Sequence, residues 1–254
     1  MKKSVFILLC MLCSPFTFCT AQQLDMQHNM FRSGDVIKKV LCTLTEENTD
    51  CKETKLWTIH GKDDDMSVLQ KFYQSNDSLR NIYFSERNAL NHFSLENNVL
   101  KLSVKEDNQT YIRYDLQEPI LMFPFSYGDR ISGMFHGTGT FCDKLRVRSC
   151  GSYSLCADEL GSLVTIDGDT LHNVICLRAL RYENVSYFPR EQVPSNYGVF
   201  TDDSIRACIS SDTLVLQEDF CRWYAPGYRY PVAERCRYSY SGQVIAEYSL
   251  FCPL

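Results

Sequence analysis

Apolar and polar residues alternate with a period of two along much of this chain, and that pattern limits it to extended strands with one buried face. Between Thr110 and Leu116, Tyr111, Arg113 and Asp115 alternate with Ile112, Tyr114 and Leu116; between Lys144 and Ser149, Leu145 and Val147 alternate with Arg146 and Arg148. Compact turn signals separate such runs: Tyr127-Gly128-Asp129, Asp158-Glu159-Leu160-Gly161, Asp167-Gly168-Asp169 and Ser241-Gly242. Asp167-Gly168 suits the positive φ angles of a tight hairpin. No stretch of a dozen residues keeps a convincing helical period, and Asp63 to Gln74 is the best helix candidate. The expectation is an all-β, antiparallel fold, a curved sheet or half-open barrel or sandwich with disulfides.

The N-terminus carries the three parts of a secretory signal. Met1-Lys2-Lys3 is basic, Val5 to Cys13 is apolar, and Cys19-Thr20-Ala21 places small residues before a cleavage point at Gln22. A membrane anchor competes with this reading, but a spanning helix needs ~20 apolar residues and the run breaks at Ser14-Pro15. Lipidation at Cys19 is a further alternative, set against the bulky Phe16-Thr17-Phe18 before it. Residues 1–21 are therefore read as a signal peptide and 22–254 as the mature chain, bound for the periplasm, the outer surface or the extracellular space. Loss of Lys2 and Lys3 takes 26 basic residues to 24 against 31 acidic ones, so a formal charge of −5 becomes −7. With no basic run, nucleic acid and anionic membranes are poor partners.

Ten cysteines remain after cleavage: Cys42, Cys51, Cys142, Cys150, Cys156, Cys176, Cys208, Cys221, Cys236 and Cys252. An even count in an oxidising compartment reads as disulfides, and the paired close spacings of a zinc site are missing. Ten cysteines allow roughly 945 pairings. Two local pairs have a physical basis. Cys42 and Cys51 flank the polar stretch Glu46 to Asp50, and Cys221 and Cys236 lie on either side of the turn-like Ala225-Pro226-Gly227, where paired strands would bring them together. No linker, repeat or low-complexity segment divides the mature chain, so one β-rich domain is expected, with an irregular N-terminal part to about residue 118 as the alternative division.

Four blocks carry a resemblance: Phe31-Arg32-Ser33-Gly34-Asp35, Tyr111-Ile112-Arg113-Tyr114-Asp115, Phe123 to Asp129, and Trp223 to Pro231. They resemble uncharacterised secreted β-rich proteins of Bacteroidetes. Gly161-Ser162-Leu163-Val164, Gly168-Asp169-Thr170-Leu171, Asn173-Val174-Ile175 and Trp223 to Gly227 are more distantly similar to half-barrel domains like those of lipoprotein carriers. That resemblance implies an antiparallel sheet curled round an apolar cavity. The chain is richer in cysteine than the proteins it resembles. The Asp-Ser/Thr-aliphatic pattern of O-glycosylated proteins in that group recurs at Ser78, Thr170, Ser204 and Thr213, which are candidate acceptors; the same dipeptides are also common turn formers.

No catalytic motif stands out. His28, His60, His92, His136 and His172 are scattered and read as surface or satisfied core residues. Gly151 to Leu155 does not match a nucleophile elbow. His136-Gly137-Thr138-Gly139-Thr140 lacks the third glycine of a nucleotide cradle and reads as glycines bending a strand. Asp63-Asp64-Asp65 and Asp167-Gly168-Asp169 lack the distal glutamate of a calcium loop and read as solvated turns. No cofactor or metal is expected. Trp223, Tyr224, Tyr228 and Tyr230 form the best candidate binding surface, as a sugar-stacking or adhesive platform, with core packing as the competing reading. Three functions follow from these features: a non-enzymatic binder of a hydrophobic, lipid-like ligand; a surface module for glycan or protein; and an enzyme without a recognisable motif. A pocket lined by paired titratable groups would favour the enzyme.

Overall fold

The computed structural model describes residues 23–48, 54–62, 66–75, 78–86, 88–195, 197–198, 200–210 and 215–253. Residues 1–21, read from sequence as a signal peptide, and Cys51, Asp63 to Asp65 and Thr213 lie outside the described residues. The chain runs through β1 (Gln23–Leu24), a one-turn helix α1 (Met26–Asn29), β2 (Val36–Asn48), β3 (Lys55–Gly61), β4 (Ser67–Ser75), β5 (Ser78–Glu86), β6 (Ala89–Glu96), β7 (Val99–Glu106), β8 (Thr110–Leu116), β9 (Pro119–Met122), β10 (Phe125–Ser126), β11 (Arg130–Phe141), β12 (Leu145–Val164), β13 (Thr170–Pro189), α2 (Asp202–Ser210), β14 (Leu216–Tyr224), β15 (Ala233–Tyr240) and β16 (Gln243–Phe251).

These strands make a closed barrel. Twelve of them form one ring in the order β11-β8-β7-β6-β5-β4-β2-β16-β15-β14-β13-β12, sealed by pairing of β11 with β12. The half-open form expected from sequence is replaced by full closure, which removes the exposed strand edges that invite aggregation. Strands from both sides of Pro119 sit in the same ring. The pairing is antiparallel except where β3 runs parallel to β12.

A second ring shares half of the first. β3 pairs with the C-terminal half of β2, from Cys42 to Asn48, and with Gly161 to Val164 of β12. It thereby closes a seven-stranded ring over the wall β12-β13-β14-β15-β16-β2. Where the two rings overlap, both faces of that wall are buried, each in its own core. On β14, Tyr224 joins the large core with Phe135, Leu155 and Leu177, whereas Trp223 and Cys221 join the small core with Trp57, Ile59 and Leu163. The two indoles meet edge-on at 5.9 Å. On β13, Ile175 and Leu177 face the first core while Val174 and Cys176 face the second. From Val174 to Leu177 both parities are apolar, so that stretch reads as a continuous apolar run.

Local chemistry explains the turns. Gly168 at φ +87° closes the β12–β13 hairpin, and Ser241 and Gly242, both at positive φ, close β15–β16. Asp158 to Gly161 is not a turn: it lies inside the 20-residue β12, where the register against β13 shifts between Cys156 and Glu159. The bulge absorbs the break and lets the strand continue from the large ring into the small one. The helix predicted over Asp63 to Gln74 is likewise not formed in its described part, which enters β4; Val68 and Phe72 are buried there between exposed Leu69 and Lys71, a period of two. The longest helix among the described residues is instead α2. Thr201 and Ser204 cap its start reciprocally, Asp202 and Asp203 occupy its first turn, and Ile205 is buried against the barrel.

Glycines set how closely strands approach. The β11–β8 register shifts between His136 and Gly137, in line with the expectation of a glycine-bent strand. A Cβ on Gly151 would fall 1.9 Å from the Tyr182 carbonyl oxygen and 2.4 Å from the Phe135 ring. Gly151→Ala is therefore expected to lower stability by about 3 kcal/mol, read as a lower urea midpoint; an unchanged midpoint would show that the strands are not this close.

Candidate functional site

The twelve-stranded ring encloses a cavity of about 580 Å³, within the size range of small-molecule sites. Side chains of even number on β14 and β15 point into it: Glu218, Phe220, Arg222 and Tyr224 from one strand, Glu234, Cys236 and Tyr238 from the other. Its two poles differ in chemistry.

One pole is aromatic. Phe31, in the turn before β2, packs on Phe72 of β4 at 4.6 Å between ring centroids; Phe72 continues to Phe84 of β5 at 5.2 Å and to Tyr230 at 5.1 Å. Phe93 of β6 extends the cluster. Tyr230 is anchored by its hydroxyl, which donates to Asp35 Oδ2 at 2.8 Å and accepts from Arg32 N at 3.1 Å. The sequence block Phe31 to Asp35 thus meets the block Trp223 to Pro231 across almost the whole chain.

The other pole is ionic. Arg181 of β13 is buried, and its guanidinium donates to Glu118 (2.9 Å), to both oxygens of Glu183 and to Glu218 (2.9 Å), with Tyr114 Oη at 3.3 Å and the Phe135 ring beneath it at 4.1 Å. Ser149 also donates to Glu183. Lys105 of β7 lines the same cavity and its charge is held up by Glu183, but no carboxylate lies within ion-pair distance of it among the described residues. A second buried pair stands nearby on the wall: Lys39 Nζ lies 2.8 Å from Glu234, which Arg222 approaches to 3.7 Å.

Three carboxylates here face two cations, and the surplus negative charge falls on one residue. Burial pushes the Glu118 carboxyl above its ordinary range against the opposing pull of Arg181, and Glu183 and Glu218 push it further. Burial acts on Glu183 in the same sense, but there Arg181 and Lys105 outweigh it and hold the carboxyl down to about 2.

The sequence candidates are distributed differently. Trp223 is buried in the small core and Tyr224 in the large one, at 1% and 3% exposure, so neither belongs to an exposed platform. Tyr224 and Tyr230 line the cavity, and Tyr228 packs against the small core. The platform fails because alternation turns successive aromatic residues to opposite faces of a wall that is buried on both. Thr170 is exposed, while Ser204 is occupied in capping α2, its hydroxyl donating to the Thr201 carbonyl. Ser78 lies in β5, and Thr213 is outside the described residues.

His136 also departs from expectation. It is buried against Phe200 with neither ring nitrogen hydrogen-bonded, and burial with Arg148 nearby lowers its pKa to about 3. Among the described residues no His, Cys, Asp and Glu group has the arrangement of a metal site. Nine cysteines are described, all as free thiols, and Cys221 and Cys236 are not a pair: Cys221 sits opposite Arg235 and Cys236 opposite Phe220, on opposite faces of the hairpin. Cys42 is buried in the small core, but its proposed partner Cys51 is outside the described residues. No helix among the described residues is long and apolar enough to cross a membrane.

Neither Arg181 nor its carboxylates were singled out from the sequence. The available signal was parity: Ile175, Leu177 and Ala179 point inward on β13, and the same parity continues through Arg181 and Glu183. Comparison with protein-family models, with curated proteins and with solved structures finds no match to the chain.

The charge assignment separates two conservative substitutions. Glu183→Gln strips Arg181 of its main counterion and is expected to cost about 3–5 kcal/mol at pH 7, whereas Glu118→Gln is expected to be neutral or mildly stabilising. The pH dependence has opposite signs. Glu183 contributes stability above its ordinary value of 4.5 that is lost as pH falls towards about 2. Glu118, shifted upward, becomes more favourable as pH falls below its folded value, so the gap between wild type and Glu118→Gln should close on acidification. Urea midpoints between about pH 2 and pH 8 measure both; equal losses for the two variants would contradict the assignment.

Proposed function

We propose that the protein is an exported, non-enzymatic binder that holds an amphiphilic, lipid-like molecule inside the twelve-stranded ring. The observation that carries this reading is the two-pole cavity: Phe31, Phe72, Phe84 and Phe93 offer apolar surface for a chain, and the Arg181 cluster offers a polar end. A wholly hydrophobic ligand, as the half-barrel resemblance implied, would leave the ionic pole uncovered, and desolvating it without partners is unfavourable. Because that pole presents cations and carboxylates together, it suits a head group that is zwitterionic or hydroxyl-bearing. Lys105, the cation there without a directly bonded carboxylate, is the contact for an acceptor atom of the head.

One observation favours a second reading. A buried carboxyl with a raised pKa beside one held near about 2 is the arrangement that separates acid from base roles in enzymes, which points to Glu118 as a general acid. Burial of Glu118 and the pairing of Glu183 with Arg181 and Lys105 also account for the two shifts without catalysis, so binding remains the primary reading. Burial of Trp223 and Tyr224 leaves little of the aromatic surface module.

Native mass spectrometry of protein purified from an envelope fraction tests the proposal. A one-to-one adduct of lipid size, removed by mild organic extraction, is expected. Ala179→Trp, which places an indole on the cavity wall, should reduce its occupancy at least about tenfold while leaving the far-ultraviolet circular dichroism unchanged. Ligand-free protein, or an adduct indifferent to Ala179→Trp, would contradict binding at this site. An adduct whose mass changes in Glu118→Gln would favour the enzyme.

A further inference from the structure

Ten mature cysteines leave the connectivity open in the sequence, but the fold brings two pairs of thiols into contact. Cys150 lies on β12 directly opposite Asn184 of β13, with its side chain on the outer face of the barrel. Over that spot sits α2, tied down by a hydrogen bond from Asn184 Nδ2 to the Cys208 carbonyl at 3.3 Å. The thiols of Cys150 and Cys208 are neighbours, each within the other's electrostatic reach. On the shared wall, Cys176 is opposite Trp223 and Cys221 opposite Arg178, which makes the two cysteines diagonal neighbours on one face of β13–β14. Their thiols are likewise within electrostatic reach of each other, and Arg235 Nη2 donates to Cys221 Sγ at 3.4 Å.

The other described cysteines have different surroundings. Cys156 bonds Asp158, Cys236 bonds Tyr248, Cys252 meets the Pro253 carbonyl, Cys142 is exposed in the β11–β12 turn, and Cys42 is buried in the small core.

We propose that Cys150 with Cys208, and Cys176 with Cys221, are the sites of two disulfide bonds, the first clamping α2 to the barrel and the second cross-linking the wall inside the small ring. In each case one thiolate attacks an external disulfide, such as that of an oxidoreductase or oxidised glutathione, giving a mixed disulfide. The second thiolate then displaces it. One Sγ–Sγ bond forms, two thiol protons are released, and the two electrons reduce the external disulfide to two thiols. Within the wall Cys221 is the attacking sulfur, because the arginine beside it favours the thiolate. Its pair is buried on both sides and closes while the barrel folds. Cys208 is only half-buried, so the clamp pair is within reach of exchange in the folded protein.

The bonds are tested on the full chain exported to an oxidising compartment, alkylated with iodoacetamide without reduction, digested and mapped by mass spectrometry. Peptides joined through Cys150–Cys208 and Cys176–Cys221 are expected, neither site being alkylated. Cys208→Ser should leave Cys150 alkylatable after denaturation while the Cys176–Cys221 link persists. Reduction of the wild type should lower the melting temperature by roughly 5–15 °C. Alkylated Cys150 or Cys176 in exported protein refolded with oxidised glutathione, or a link from either to another cysteine, would overturn the corresponding bond. Binding of an amphiphile in the cavity is measured independently and does not enter this result.

Discussion

Where the two rings overlap, the wall from β12 to β2 is buried on both faces, and the rest of the molecule is arranged to satisfy that constraint. The two 20-residue strands β12 and β13 provide its length. On one face the arc of β11, β8, β7, β6, β5 and β4 closes the large ring; on the other, β3 closes the small one and α2 covers part of what remains. Each closure pairs backbone groups that would otherwise be left at an edge. The cost of a doubly buried wall is that every polar side chain on it needs a partner within the protein, as seen for Arg181, Glu183, Glu218, Lys39 and Glu234.

Those paired charges are what give the large cavity a direction. An apolar interior alone would accept any hydrophobic molecule of suitable volume. On the proposed function, an aromatic pole facing an ionic pole would select a molecule with two chemically different ends and fix which end goes where. The small ring has no such asymmetry: Trp57, Trp223, Ile59 and Leu163 fill it, so it serves the wall as packing.

Much of the fold was legible in the residues. Alternation at Thr110 to Leu116 and at Lys144 to Ser149 placed β8 and the start of β12, and Asp167-Gly168 and Ser241-Gly242 placed hairpins, because glycine and short polar residues tolerate positive φ. Closure was not legible, since it depends on β11 meeting β12 and β3 meeting both β2 and β12, which are register relations between distant segments. Asp158 to Gly161 misled for a physical reason: a bulge and a turn use the same residues. The site was hidden for another. Trp223 and Tyr224 are adjacent in sequence and lie in different cores, so clustering aromatic residues by position could not reveal which of them meet. Arg181 and Glu118, 63 residues apart, become partners only when the ring closes.

The central claim is that an amphiphile lies within the twelve-stranded ring with its chain among the phenylalanines and its head at Arg181. Crystals of the protein grown with an amphiphile brominated near the end of its acyl chain would locate that end by anomalous scattering. The account predicts a bromine peak between Phe31, Phe72, Phe84 and Phe93, with the head density at Lys105 and Glu118. Bromine on the outside of the barrel, bromine at Arg181, or an empty cavity at saturating ligand would contradict it.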